Sequence, residues 1–146
     1  MDLGLLGASL VMGISATGSA IAIGMCGQAN IGAWKKCFAA NKSAPMTLLA
    51  FTGNPLTQVF YGYILMGVLK SASLAGTSDP TLLLGFGIIA GVAIAFSAIV
   101  QGKSGAAACD AIVETGKGFA QFIAIMGIAE TIALFTMVLT MTSLSV

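Results

Sequence analysis

Four apolar runs, residues 3–33, 46–69, 81–108 and 119–144, leave little of this chain outside them, and each exceeds 20 residues. About 20 apolar residues in a helix cross the hydrocarbon core of a bilayer, and in lipid every backbone polar group must be paired within the segment itself. The chain is therefore expected to be an all-α membrane protein with four transmembrane helices. A soluble core is excluded by composition, since 58% of the residues are hydrophobic and only 8% charged, with a mean hydropathy of +1.01.

The charges sit mainly between the runs. Lys35, Lys36 and Lys42 follow the first, Lys103 and Lys117 flank the loop after the third, and the middle loop holds only Lys70 with Asp79. Basic loops stay on the cytoplasmic side, so the first and third loops are expected there and both termini outside. Asp2 stands at the amino end with no Lys or Arg before the first run, which argues against a cleaved signal peptide. The net charge of +1, without a single Arg or His, offers no surface for nucleic acid. Cys26, Cys37 and Cys109 form no CxxC pair and read as small apolar fillers.

Displacing the sequence by 73 residues aligns GSAIAIGMCGQANIGA, starting at Gly18, with GVAIAFSAIVQGKSGA, starting at Gly91, and superposes Gln28 on Gln101. The expected organisation is thus two tandem-duplicated helical hairpins, residues 1–73 and 74–146, in parallel topology. Runs one and three are rich in Gly, Ala and Ser, which let helix backbones approach closely in lipid; runs two and four, with more Leu, Phe and Met, are expected further out.

Glu130 is the only charge after Phe119, and it stands eleven residues into the last run. A carboxylate near the bilayer centre costs at least ~2.5 kcal/mol, so it is retained where it is neutralised, paired or bound to a cation. Under the repeat it falls on Thr57, a neutral residue beside Gln58, so only the second hairpin has the acid. Thr57 and Gln58 stand eleven and twelve residues after Met46 and enter from the same side, which places them at the depth of Glu130. Asn54, Thr57, Gln58 and Tyr61 share one helix face, and Pro55 removes a backbone donor, freeing carbonyl oxygen nearby. Gln101 adds a further amide at comparable depth. One carboxylate among neutral oxygens suits a hard monovalent cation such as Na⁺, whereas a proton carrier needs only the acid.

In this order and spacing, NPLTQVFYGY, VQGKSGAA and GIAET in a duplicated four-span chain resemble the membrane rotor proteolipid, the c or K subunit, of bacterial sodium-pumping V-type ATPases. The resemblance implies a homo-oligomeric ring in the lipid bilayer, turned by ATP hydrolysis in other subunits, with no catalysis by this chain. It implies central-stalk subunits seated on the cytoplasmic loops, and a stator membrane subunit whose Arg displaces the ion. It further implies Na⁺ as the cargo, held by Glu130, Gln101, Thr57, Gln58 and the backbone carbonyl of Asn54, with Tyr61 hydrogen-bonding the acid. Those relatives carry an apolar residue where this chain has Asn54. The alternatives are an H⁺-carrying version of the same rotor and, from another class, a small four-helix cation or drug antiporter built around one membrane Glu.

Overall fold

The computed structural model describes residues 2–144, and the outermost residues of the two expected hairpins, 1, 145 and 146, lie outside them. The described chain is helical almost throughout: α1 (Leu3–Ala39), α2 (Leu48–Gly53), a 3₁₀ turn (Asn54–Leu56), α3 (Thr57–Ala75), α4 (Pro80–Thr115) and α5 (Phe119–Ser143). α1, α4 and α5 are each long and apolar enough to cross a membrane. The second expected span is instead divided, with α2, the 3₁₀ turn and α3 following one another without an intervening residue.

Local chemistry fixes the ends. The Asp2 carboxylate caps α1 by accepting from the backbone N–H of Gly4 and Leu5 at 2.9 and 3.1 Å. Asp79 does the same for α4 at Thr81 and Leu82, and Pro80 occupies the first helical position, where its missing donor costs nothing. α3 and α4 both stop at glycines in the left-handed region, Gly76 and Gly116. Pro55, which has no N–H and sits in the middle of the divided span, tightens it into the 3₁₀ turn.

α1 and α4 run farther than their apolar runs, to Ala39 and Thr115. At ~1.5 Å per residue their 37 and 36 residues extend over about 55 Å, against a hydrocarbon core of ~30 Å. Charge follows the two apolar runs at Lys35 and Asp110 but does not end the helices. The overhang is charged, and on it exposed Lys36 pairs with Asp110 at 2.5 Å and Glu114 at 3.5 Å, joining α1 to α4.

Small residues bring α1 and α4 together within the chain, side by side and in the same direction. A Cβ on Gly7 would fall 2.5 Å from the Leu83 carbonyl oxygen, one on Gly87 would strike the Gly7 backbone, one on Gly18 the Ala95 backbone, and one on Gly102 would lie 2.5 Å from the Ala22 Cα. No side chain larger than hydrogen fits such a seam without moving a backbone. Two apolar clusters flank it, one around Val11, Leu65, Leu83 and Ile94 and one around Cys26, Phe51, Cys109 and Met126. The three cysteines are buried and free, in keeping with a filler role. α5 lies outermost and presents Ile128, 70% exposed, and Leu139, 63% exposed, on an apolar outer face.

Candidate cation site

Glu130, half-buried, projects from the middle of α5 toward α3 and α4. The Tyr61 hydroxyl donates to its Oε1 at 2.7 Å, and the Gln101 amide donates to its Oε2 at 3.3 Å. The same Gln101 Nε2 donates to the Met126 carbonyl at 3.0 Å, one turn before Glu130. The first bond is short enough to be strong; the second is long and fixes direction more than energy.

From Gln101 the network returns to α3. Gln58 Nε2 donates to Gln101 Oε1 at 2.9 Å, and the Thr57 hydroxyl lies 3.2 Å from Gln58 Oε1 and 3.1 Å from the Asn54 carbonyl. The hydroxyl has one proton, so these two bonds alternate. The Asn54 oxygen also closes the 3₁₀ turn by accepting from the Thr57 backbone N–H. Starting at Thr57, the path runs through Gln58, Gln101 and Glu130 and comes back to α3 at Tyr61, a closed circuit across three helices. Its two amides are buried, Gln58 and Gln101 both being 0% exposed.

All six residues singled out in the sequence are thus brought together: Asn54, Thr57, Gln58 and Tyr61 by the turn of α3 around Pro55, Gln101 from α4, and Glu130 from α5. Pro55 matters to this grouping because the tightened turn rotates Thr57 back over the Asn54 carbonyl. Among the described residues the ion pairs belong to Lys36, and Glu130 faces neutral partners instead.

One contributor escaped the sequence reading. Ser97, 3% exposed, donates to the Ala129 carbonyl at 2.7 Å and anchors α4 to α5 one residue before the acid. Its position four residues before Gln101, on the same helix face, was the available signal.

Apart from the Tyr61 phenol, the circuit gathers one carboxylate, two amide oxygens, one hydroxyl and one backbone carbonyl, all hard oxygen donors carrying a single negative charge. Such a set matches a monovalent cation, and a soft metal finds no sulfur or imidazole in it. The two amides and two hydroxyls are linked through these oxygens, so their orientations are correlated.

The chain is thus helical and apolar, with one acid set among amides and a phenol. Residues 84–142, which span Gln101 and Glu130, match the family model for the C subunit of ATP synthase. The K subunit of the A-type ATP synthase of Methanocaldococcus jannaschii is 29% identical to the chain over 133 residues, covering 91% of this chain and 57% of that protein. The chain thus spans little more than half the length of that relative. Both matches are to subunits of ATP synthases.

Proposed function

We propose that the chain is the rotor proteolipid of a V/A-type ATPase and that Glu130 carries one monovalent cation across the membrane per passage. The observation that carries this reading is the closed circuit of Tyr61, Glu130, Gln101, Gln58 and Thr57 at one depth. As a proteolipid of the c/K type it is non-catalytic. Copies of the chain form a ring, other subunits hydrolyse ATP and turn it through a central stalk on the cytoplasmic overhang, and an Arg on a stator subunit displaces the ion. Four membrane crossings as two hairpins, with both termini outside a bacterial plasma membrane, complete the arrangement.

Na⁺ is the cargo this donor set favours. A proton needs only a carboxylate whose neutral form is stabilised by desolvation, and the two buried amides, the hydroxyl and the Asn54 carbonyl would be surplus to it. A dehydrated Na⁺ needs several oxygens at once, and one carboxylate balances its charge. Asn54 would contribute only its backbone oxygen.

The test is carbodiimide modification of Glu130 in the purified assembled protein at fixed pH. Millimolar Na⁺ is expected to block the reaction, and Glu130→Gln is expected to abolish both labelling and ²²Na⁺ transport while leaving the ring assembled. Protection that follows pH alone would assign H⁺ to the same rotor. A small dimer in place of a ring would favour the antiporter.

A further inference from the structure

Ser19 lies in the middle of α1, is 1% exposed, and its hydroxyl oxygen has no hydrogen-bond partner. Buried hydroxyls are ordinarily paired, and one left unpaired costs ~1–3 kcal/mol, so an orphan of this kind calls for a physical account. Ser15, one turn earlier on the same helix, meets the usual standard by donating to the Val11 carbonyl at 2.7 Å.

The packing of α1 against the divided second segment sets the register at Ser19. Ser15 packs on Gly62, where an added Cβ would lie 2.7 Å from the Ser15 hydroxyl oxygen. Farther along α1, Asn30 Nδ2 donates to Thr52 Oγ1 at 3.2 Å, and Thr52 Oγ1 lies 3.6 Å from Cys26 Sγ. As residue numbers rise along α1 they fall along its partner, so the two segments are antiparallel. One turn on from Ser15 is Ser19, and one turn back from Gly62 is Gln58. Gln58 is 0% exposed, and its amide nitrogen has two protons, of which the structure gives one an acceptor, Gln101 Oε1. An unpaired buried oxygen and a buried N–H without a second acceptor therefore stand at one level of the bundle, on facing helices.

We propose that Ser19 is a positioning residue of the cation site: its hydroxyl takes the second Gln58 N–H through one buried water and so sets the direction of Gln58 Oε1. This rests on the reading of Gln58 as a cation ligand. It brings α1 into a site otherwise built by α3, α4 and α5, and it has no direct bond to Glu130, which takes its own from Tyr61 and Gln101 and is reached from Gln58 only through Gln101.

Ser19→Ala removes one oxygen atom and Ser19→Thr keeps the hydroxyl. In the assembled protein, the Na⁺ concentration that half-protects Glu130 from carbodiimide is expected to rise about three- to tenfold in Ser19→Ala, the size of one neutral hydrogen bond. Ser19→Thr should stay near wild type. The pH that half-protects Glu130 without Na⁺ should be the same in all three. Equal losses in both variants, or a pH midpoint that moves with the Na⁺ midpoint, would reduce Ser19 to a packing role and overturn the proposal. The Gln58 side-chain amide, followed by solid-state NMR in ¹⁵N-glutamine-labelled protein, gives a reading that does not depend on the cargo. Its second proton should shift in Ser19→Ala and not in Ser19→Thr, and an unchanged signal in Ser19→Ala overturns the proposal. Should wild-type labelling ignore Na⁺, the sodium reading falls and the NMR result still decides the role of Ser19.

Discussion

Tyr61 is the residue whose loss isolates a single bond to the acid. Its hydroxyl is 2.7 Å from Glu130 Oε1 and its ring fits against the cluster around Val11 and Leu65, so Tyr61→Phe deletes the donor and keeps the packing. A hydrogen bond to an ionised group contributes ~1.5–3 kcal/mol, which corresponds to about tenfold or more in an equilibrium. Tyr61→Phe should therefore raise the Na⁺ concentration that half-protects Glu130 by about that factor and speed carbodiimide labelling without Na⁺, with assembly intact. An unchanged labelling rate would show that the bond does not hold the carboxylate. At this scale the sequence was informative because the requirement is one of depth and face: an acid inside a membrane run, and polar side chains counted along another run from the same side, need only the helical rise. Ser97 and the Met126 carbonyl were not legible in that way, since their roles depend on how α4 and α5 rotate about their axes.

Two elements, the proline turn and the α1–α4 seam, set the geometry that those side chains inherit. Pro55→Ala restores the missing N–H and would let α2 and α3 join in a regular helix, which shifts Thr57 and Gln58 around the axis relative to Gln101 and Glu130. We expect unchanged or higher helix content by circular dichroism together with weaker Na⁺ protection of Glu130; retained protection would mean that the 3₁₀ turn is incidental to the site. In the seam, Gly87→Ala directs a methyl into the Gly7 backbone, whereas Gly85→Ala meets nothing within 4 Å. Overpacking costs ~1–3 kcal/mol, and an unhindered Gly→Ala in a helix gains up to ~1 kcal/mol. Thermal unfolding in mild detergent should therefore show Gly87→Ala destabilised and Gly85→Ala equal to or above wild type; the reverse order would contradict the packing. The composition of the first and third runs predicted close approach, and the structure places it between α1 and α4 of one chain. What composition left open was the partner, because glycine marks a surface for close contact without specifying the opposing face. Helix ends were also hidden, since a lysine stops an apolar run while being a good helix former.

At the scale of the whole molecule, the site depends on four helical segments staying in register, and polar clamps hold the bundle at its two ends. Lys36 with Asp110 and Glu114 is one, an exposed set of the kind that contributes little, ~0–1 kcal/mol. The other is Asp2, which caps α1 and also accepts from the Ser73 hydroxyl at 3.0 Å, tying the start of the chain to the end of α3. Bonds from the Leu5 backbone, the Ser73 hydroxyl and the Gly4 backbone hold its carboxyl below the ordinary value of 3.8. A carboxylate with a depressed folded pKa supports the fold fully above its unfolded value, and that support is lost as pH falls through the folded one. The Asp2 contribution should therefore be complete above about pH 5 and decline as acid is added below 3.8. Asp2→Asn keeps a competent N-cap and a neutral acceptor for Ser73 but cannot titrate. All other carboxyls are common to both proteins, so the difference between their melting temperatures isolates this one group. The wild-type advantage is expected to be constant at neutral and mildly acidic pH and to shrink below pH 3.8, while parallel curves down to about pH 2 would show that the clamp at Ser73 does not depend on the Asp2 charge. Because Asp2 is remote in sequence from Glu130 and anchors only the far end of α3, its loss should leave Na⁺ protection of Glu130 unchanged at neutral pH, which separates the stability of the bundle from the chemistry it holds.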